Sequence, residues 1–179
     1  KELREKIGVV PQKAVLFAGT IRENLQWGKK EATEEEMFRA LKIAQVEEII
    51  EKKENGLDSQ VEQGGRNFSG GQRQRLTIAR ALVRQPEILI LDDSSSALDF
   101  VTDAALRKAV GALEPKPVLF IVSQRTSSIR HADRIVVLED GHAVGIGTHE
   151  ELMDSCQVYR EIYQSQFHGT GDREEVPAE

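Results

Sequence analysis

The sequence predicts an α/β fold in which a parallel β-sheet core carries an inserted α-helical subdomain. Three observations carry that expectation. Short apolar, β-branched runs alternate with segments of helical periodicity. Two of those runs, Ile88 to Leu91 and Val118 to Val122, are hydrophobic almost throughout, which suits strands of a parallel sheet covered on both faces by helices. The connections between the runs are long enough for βα crossovers.

The first strand is expected over Ile7 to Val10, and the long stretch after it, about residues 18–85, reads as the helical subdomain. Within it, Thr33 followed by Glu36 has the form of a capping box, with Met37, Ala40, Leu41 and Ala44 at helical spacing behind it. Val46 to Lys53 reads as a short helix before the Asn55-Gly56 turn. A further helix opens at Ser69-Gly70-Gly71 and places Leu76, Ala79, Leu82 and Val83 at helical spacing. After the two buried strands come Ile135 to Leu138 and Ala143 to Ile146, joined by a tight turn at Gly141, and then Glu150 to Gln166 as a closing helix. Residues 1–167 are thus expected to form one domain. The polar, acidic stretch 168–179 has no apolar pattern and is expected to be disordered.

Composition narrows the function classes. The 179 residues hold 24 Lys and Arg against 30 Asp and Glu, a formal charge of −6, so there is no basic field to hold a nucleic-acid backbone over a long surface. One phosphate-binding loop is still compatible with that balance. The longest apolar runs fall far short of the roughly 20 residues that a membrane helix needs. Cys156 is the only cysteine, which excludes an internal disulfide framework and suits a reducing compartment. The start is charged and leads straight into a strand-like run, with no signal-peptide pattern, and reads as opening in mid-fold.

The densest chemical signal is Asn67-Phe68-Ser69-Gly70-Gly71-Gln72-Arg73-Gln74-Arg75. Two glycines at a helix start let backbone N–H groups approach an anion, the Ser69 hydroxyl adds a donor, and the helix dipole favours negative charge there. An isolated Ser-Gly-Gly is more often just an N-cap after a turn, so the segments that follow decide the reading. The strand Glu87 to Leu91 ends in Asp92 and Asp93. A carboxylate at the C-terminal end of a central strand can hold Mg²⁺ through its water shell, and a neighbour can orient or deprotonate an attacking water. Ser94-Ser95-Ser96-Ala97-Leu98-Asp99 then leads into another helix.

In order and spacing these segments resemble the nucleotide-binding domain of ATP-binding cassette (ABC) transporters, and the resemblance covers nearly the whole chain. Phe68 to Gln72 resembles the family signature, usually L-S-G-G-Q; Leu89 to Asp93 resembles Walker B, Ser96 to Asp99 the D-loop, and Val9-Val10-Pro11-Gln12 the Q-loop. Leu16 to Leu25, Ile129 to Ile135 and Gly147 to Leu152 resemble the exporter-type members. The resemblance implies a P-loop NTPase (RecA-like) core, ATP and Mg²⁺ as ligands, and a head-to-tail dimer with each ATP between the Walker motifs of one domain and the signature of the other. By the same resemblance Gln12 would sense Mg²⁺ and the γ-phosphate, Asp92 would hold Mg²⁺, and Asp93 and Gln124 would stand at the catalytic positions. Ser69, Gly70, Gly71 and Gln72 would clamp the partner's nucleotide, and Asp99 would cross the interface. The implied setting is the cytoplasmic face of a membrane, with a membrane-spanning domain upstream in the same or another chain and no nucleic acid.

Three positions depart from the family pattern. Asp93 stands where the family has glutamate, the base for the attacking water; one methylene less withdraws the carboxylate by about 1.5 Å, and misplacement on that scale costs on the order of 10²-fold. Gln124 stands where a switch histidine is expected, and loss of one such preorganised contact costs roughly 10²–10³ in rate. Gln63 replaces a glutamate of many exporters in the segment facing the membrane domain, which reads as altered coupling. Both Asp93 and Gln124 weaken one site while the signature, apart from Phe68 for leucine, is intact. The expectation is a heterodimeric exporter with one impaired and one competent ATP site. His131, seven residues after Gln124, reads as a surface residue, His142 and His149 as turn and cap residues, and Trp27 as packing or a membrane-domain contact.

The Walker A loop, G-x-x-x-x-G-K-[ST], appears nowhere in the 179 residues, so this chain alone is expected neither to bind ATP tightly nor to hydrolyse it. That absence reads as truncation ahead of the first strand. The alternatives from other classes are a non-hydrolytic regulatory ATP-binding subunit and a soluble ABC-type ATPase of repair or translation.

Overall fold

A computed structural model describes residues 2–167, which fall into two compact units divided between Ser123 and Gln124. The expected disordered tail, 168–179, lies outside the described residues.

The first unit begins with a short helix, α1 (Glu2–Lys6), that runs into β1 (Ile7–Val10). Two residues of β2 (Gly19–Thr20) then lead into α2 (Ile21–Gln26), followed by α3 (Glu34–Ile43) and α4 (Glu47–Glu51). The capping boxes explain where these helices start. Thr20 with Glu23, and Thr33 with Glu36, each satisfy an orphan N–H at both ends of the reciprocal pair. Behind the second box, Met37, Ala40, Leu41 and Ala44 are at most 2% exposed, as the spacing predicts. A 3-10 turn at Gly56–Asp58 and β3 (Gln60–Val61), antiparallel to β2, return the chain to α5 (Gly70–Leu82). Next come β4 (Ile88–Asp92), α6 (Phe100–Gly111) and β5 (Val118–Val122).

β1, β4 and β5 form a parallel sheet in the order β1-β4-β5. The register aligns Val10 with Leu91 and Leu91 with Ile121, so the residues just beyond the carboxyl ends of the strands share one edge. Open α/β sheets bind ligands at that edge. The expected cover on both faces is not what these residues build. Leu89 and Leu91 are buried against the helical layer, but Val9, Val118, Phe120 and Val122 on the opposite face are more than half exposed, at 54%, 58%, 55% and 55%. The strands are apolar on both faces, as read; the helices of this unit pack on one.

The second unit holds α7 (Thr126–Ile129), a hairpin of β6 (Ile135–Glu139) and β7 (His142–Gly147), then α8 (His149–Ser155) and α9 (Gln157–Phe167). The hairpin turns at Asp140-Gly141, both at positive φ, which is what a tight turn of this hand needs. The closing helix is expected as one piece and is found as two. Thr148 caps α8 through a box with Glu151, and Cys156, at φ −114 and ψ 107, breaks the run before α9. The break has a packing reason. It turns Cys156 and Tyr159 inward onto Ile135, Val137 and Leu152, the small core of this unit. No helix among the described residues is long and apolar enough to cross a membrane.

Candidate functional site

At the carboxyl edge of the sheet, β1 ends and Pro11 takes the chain out of the strand, so Gln12 faces the end of β4. Its amide Nε2 donates to Asp93 Oδ2 at 3.1 Å. Two motifs 81 residues apart in sequence are therefore brought into direct contact. Asp92 is the last residue of β4 and is exposed, paired in register with Val122.

Asp93 adopts φ +43, a left-handed backbone that a non-glycine residue rarely takes. Its neighbours hold it there. Asp93 N–H donates to Val122 O at 2.9 Å, and its carbonyl accepts from the Ser96 hydroxyl at 2.8 Å. Strained backbone held by its surroundings clusters at functional sites, and here it turns the carboxylate onto Gln12. The Asp92 and Asp93 carboxylates and the side-chain amide oxygen of Gln12 are hard oxygen donors at neighbouring strand ends. Such a set fits Mg²⁺, which takes one or two carboxylates and completes its shell with water and phosphate oxygens. No cluster of three or more His, Cys, Asp or Glu among the described residues could hold a metal ion by itself.

The Ser-Gly-Gly segment is the start of α5. The Ser69 hydroxyl accepts from Gln72 N at 3.2 Å and Gln72 Oε1 accepts from Ser69 N at 3.0 Å, a capping box. The hydroxyl is used here as an acceptor, which leaves its own proton to donate. Gly70 and Gly71 are the first helical residues, so their N–H groups are among those with no intrahelical partner. A Cβ on Gly71 would sit 3.3 Å from Ala97 O, so the signature-like helix start packs closely on the D-loop-like segment of the same chain. Phe68, where leucine is expected, is buried, with the Lys53 ammonium 4.8 Å from its ring centroid.

Asp99 caps α6. Its Oδ1 accepts from Thr102 N at 2.9 Å and its Oδ2 from Thr102 Oγ1 at 2.8 Å, and these bonds hold its carboxyl below the usual carboxylate range. The segment before it is fixed by groups that sequence reasoning missed. The Ser95 hydroxyl donates to Asp103 Oδ1 at 2.7 Å, and Asp103 Oδ2 pairs with Arg107 Nη2 at 3.1 Å. Ser95 and Asp103 are 5% and 3% exposed. The missed signal was a polar residue, Asp103, on the inward face of a helix.

Arg80, on α5, donates to Val15 O at 3.0 Å and stacks over Phe17, which in turn packs on Trp27 with centroids 5.0 Å apart. Burial pushes the Arg80 guanidinium down from its ordinary value. Trp27 is 71% exposed and Phe17 45%. Beside the segment after Gln12 lies an open groove whose lining includes Lys13, Gln63, Arg66 and Arg73. Gln124 belongs to the second unit, where it is exposed and its carbonyl accepts from Gln166 Nε2 at 2.6 Å. His131 is exposed, in line with a surface role, and accepts from Arg130 Nε; His149, expected at a cap, is instead the first residue of α8 behind the Thr148 cap, with Nδ1 2.9 Å from the Tyr159 hydroxyl.

The sequence comparisons agree in direction. The family model for ABC transporters matches residues 1–96. An uncharacterized ABC transporter ATP-binding protein of Bacillus subtilis is 48% identical over 92% of this chain and 28% of its own length. A putative multidrug export ATP-binding/permease protein of Staphylococcus aureus is 42% identical, again over 92% of this chain and 28% of its own. Among solved structures, a bacterial Atm1-family ABC exporter with ATP bound superposes with a TM-score of 0.87 at 34% identity, covering 92% of this chain and 29% of that one. The chain thus spans less than a third of the length of the relatives it matches.

Proposed function

The chain belongs to the ABC transporter family, and from that premise we propose that it is the ATP-binding part of a membrane exporter, powered by ATP-driven closure of a two-domain assembly. Residues 1–167 form part of the nucleotide-binding domain, with about 18–85 as its helical subdomain. It works at the cytoplasmic face of a membrane, against a membrane-spanning domain. The groove carrying Gln63 and the exposed Phe17–Trp27 pair suit contact with that domain.

The ATP site built on this chain's Walker B segment is impaired, and its signature serves the ATP of a second, different subunit. The observation that carries this reading is the Gln12–Asp93 hydrogen bond at 3.1 Å. It supports the reading because Asp93, one methylene shorter than the family's glutamate, is tied to an amide. Asp92 and Gln12 would hold Mg²⁺, which would offset phosphate charge. Gln12 keeps Asp93 oriented and transmits the state of the site along the segment that Arg80 anchors to α5. Gln124, at the switch position, can donate a neutral hydrogen bond but carries no charge. Ser69, through its free hydroxyl proton, the Gly70 and Gly71 N–H groups and the Gln72 amide clamp the partner's triphosphate, and Asp99 faces the partner across the interface.

In the assembled dimer, Asp93→Glu together with Gln124→His is expected to raise ATP turnover, because removal of one preorganised contact in such sites costs roughly 10²–10³ in rate. Steady-state phosphate release measures it. An unchanged rate with the dimer intact would sink the impaired-site reading, as would wild-type hydrolysis after removal of the partner's Walker B base. ATP bound at this chain's own site but left unhydrolysed in a single-turnover assay of the assembled dimer would favour a non-hydrolytic regulatory subunit instead.

A further inference from the structure

The side-chain amide of Gln166, near the end of α9, grips the backbone on both sides of Arg125. Its Nε2 donates to Gln124 O at 2.6 Å. Its Oε1 accepts from Thr126 N at 2.9 Å and from Thr126 Oγ1 at 2.9 Å. The contact joins residues 42 apart within one compact unit. A primary amide carries donor and acceptor on one rigid plane, so a single side chain here imitates a neighbouring strand, answering the carbonyl of one residue and the N–H of the next but one. Thr126 is 1% exposed and begins α7, so its N–H is one that the helix leaves without an intrahelical partner. Buried donors of this kind need a protein acceptor, and Gln166 supplies one oxygen to two of them.

We propose that Gln166 is a positioning residue for Gln124. Helix α9 fixes the backbone of Gln124, the residue that would offer its amide to the terminal phosphate of a bound nucleotide. This rests on the assignment of Gln124 to the switch position made above. Gln166 does not touch the nucleotide; it acts through the two peptide groups it holds. α9 thereby controls the backbone at Gln124, since unwinding its last turn releases the carbonyl of Gln124 and the N–H of Thr126 together.

The test is a double-mutant cycle in the full-length exporter, assembled with a partner whose Walker B base has been removed, so that residual hydrolysis reports this chain's own site. Gln166→Leu, Gln124→Ala and the double variant are compared for kcat, KM for ATP and thermal unfolding. Outer groups that orient a functional side chain cost about 10- to 100-fold when removed. The expected result is a loss of about tenfold in kcat for Gln166→Leu with KM unchanged, and no further loss when it is added to Gln124→Ala, because groups acting through one another are not additive. Fully additive losses, or a fall in unfolding temperature with kcat per folded molecule intact, overturn the proposal and leave Gln166 a folding residue. A slow Gln124→Ala beside a normal Gln166→Leu removes this inference alone, whereas a normal Gln124→Ala removes the switch assignment and this inference with it. If Gln166→Leu does not assemble, Gln166→Glu replaces it. An ionised carboxylate still accepts from Thr126 but cannot donate to Gln124, so the proposal requires a lowered kcat there too, and a wild-type kcat overturns it.

Discussion

Asp103 shows how much of the site depends on a residue that touches no candidate ligand. It is 3% exposed, holds the Ser95 hydroxyl at 2.7 Å and pairs with Arg107 at 3.1 Å, so it fixes the loop between Asp93 and Asp99 from behind. Removing the buried carboxylate takes one bond each from the Ser95 hydroxyl and from Arg107, whose side chain is 23% exposed, at a cost of about 1–3 kcal/mol. Asp103→Ala is therefore expected to lower stability by about 2 kcal/mol, seen as a lower urea midpoint, while Asp103→Asn, which keeps a polar group against Ser95, loses less. Equal midpoints for wild type and Asp103→Ala would show that the pair adds nothing. The residues read from sequence were those whose neighbours in sequence make their chemistry legible: Ser69 ahead of two glycines, Asp92 and Asp93 at a strand end, Gln12 just past another. Gln12 and Asp93 could be named separately, but their contact joins strands far apart in the chain. Asp103 and Gln166 sit among ordinary helical neighbours, and only the tertiary contact gives either a role.

Whole elements were more legible than their limits. Helix starts carry a local signature, and Thr33, Ser69 and Thr148 each close a capping box where the sequence has a hydroxyl residue three places before Glu or Gln. The break at Cys156 has no such signature, because the apolar spacing runs through it unchanged and the chain bends there to bury Cys156 and Tyr159. Close packing of one element on another is equally silent until the backbone is in place. At the end of α2, a Cβ on Gly28 would come 2.0 Å from Arg80 O, a backbone atom of α5 that cannot move without its helix. Gly28→Ala is thus expected to push α2 off α5 and cost about 1–3 kcal/mol, the range for overfilled packing. Chemical denaturation measures it, with the midpoint falling and the slope constant. Stability equal to wild type would mean that α2 shifts freely, and Arg80's hold on the segment after Gln12 would then be looser than the 3.0 Å bond to Val15 implies.

At the scale of the molecule, the parallel sheet sets the strongest physical demand. Its outer face displays Val9, Val118, Phe120 and Val122, each more than half exposed, on adjacent strands whose register places Val9 beside Ile90 and Ile90 beside Phe120. Clustered apolar side chains of this kind differ from the single exposed hydrophobics that any surface carries, because water must be excluded from all of them at once when something covers the face. A polypeptide of these 179 residues is therefore expected to bind an apolar dye such as anilinonaphthalene sulfonate and to associate at micromolar concentration. Phe120→Lys, which puts a charge in the middle of the face without touching the buried side of β5, is expected to reduce both. Light scattering and dye fluorescence measure the two effects. If the variant keeps full dye binding, the apolar surface that drives association lies elsewhere, and the next candidate is the outer face of the β6–β7 hairpin, where Val136, Leu138 and Ile146 are 53%, 67% and 58% exposed.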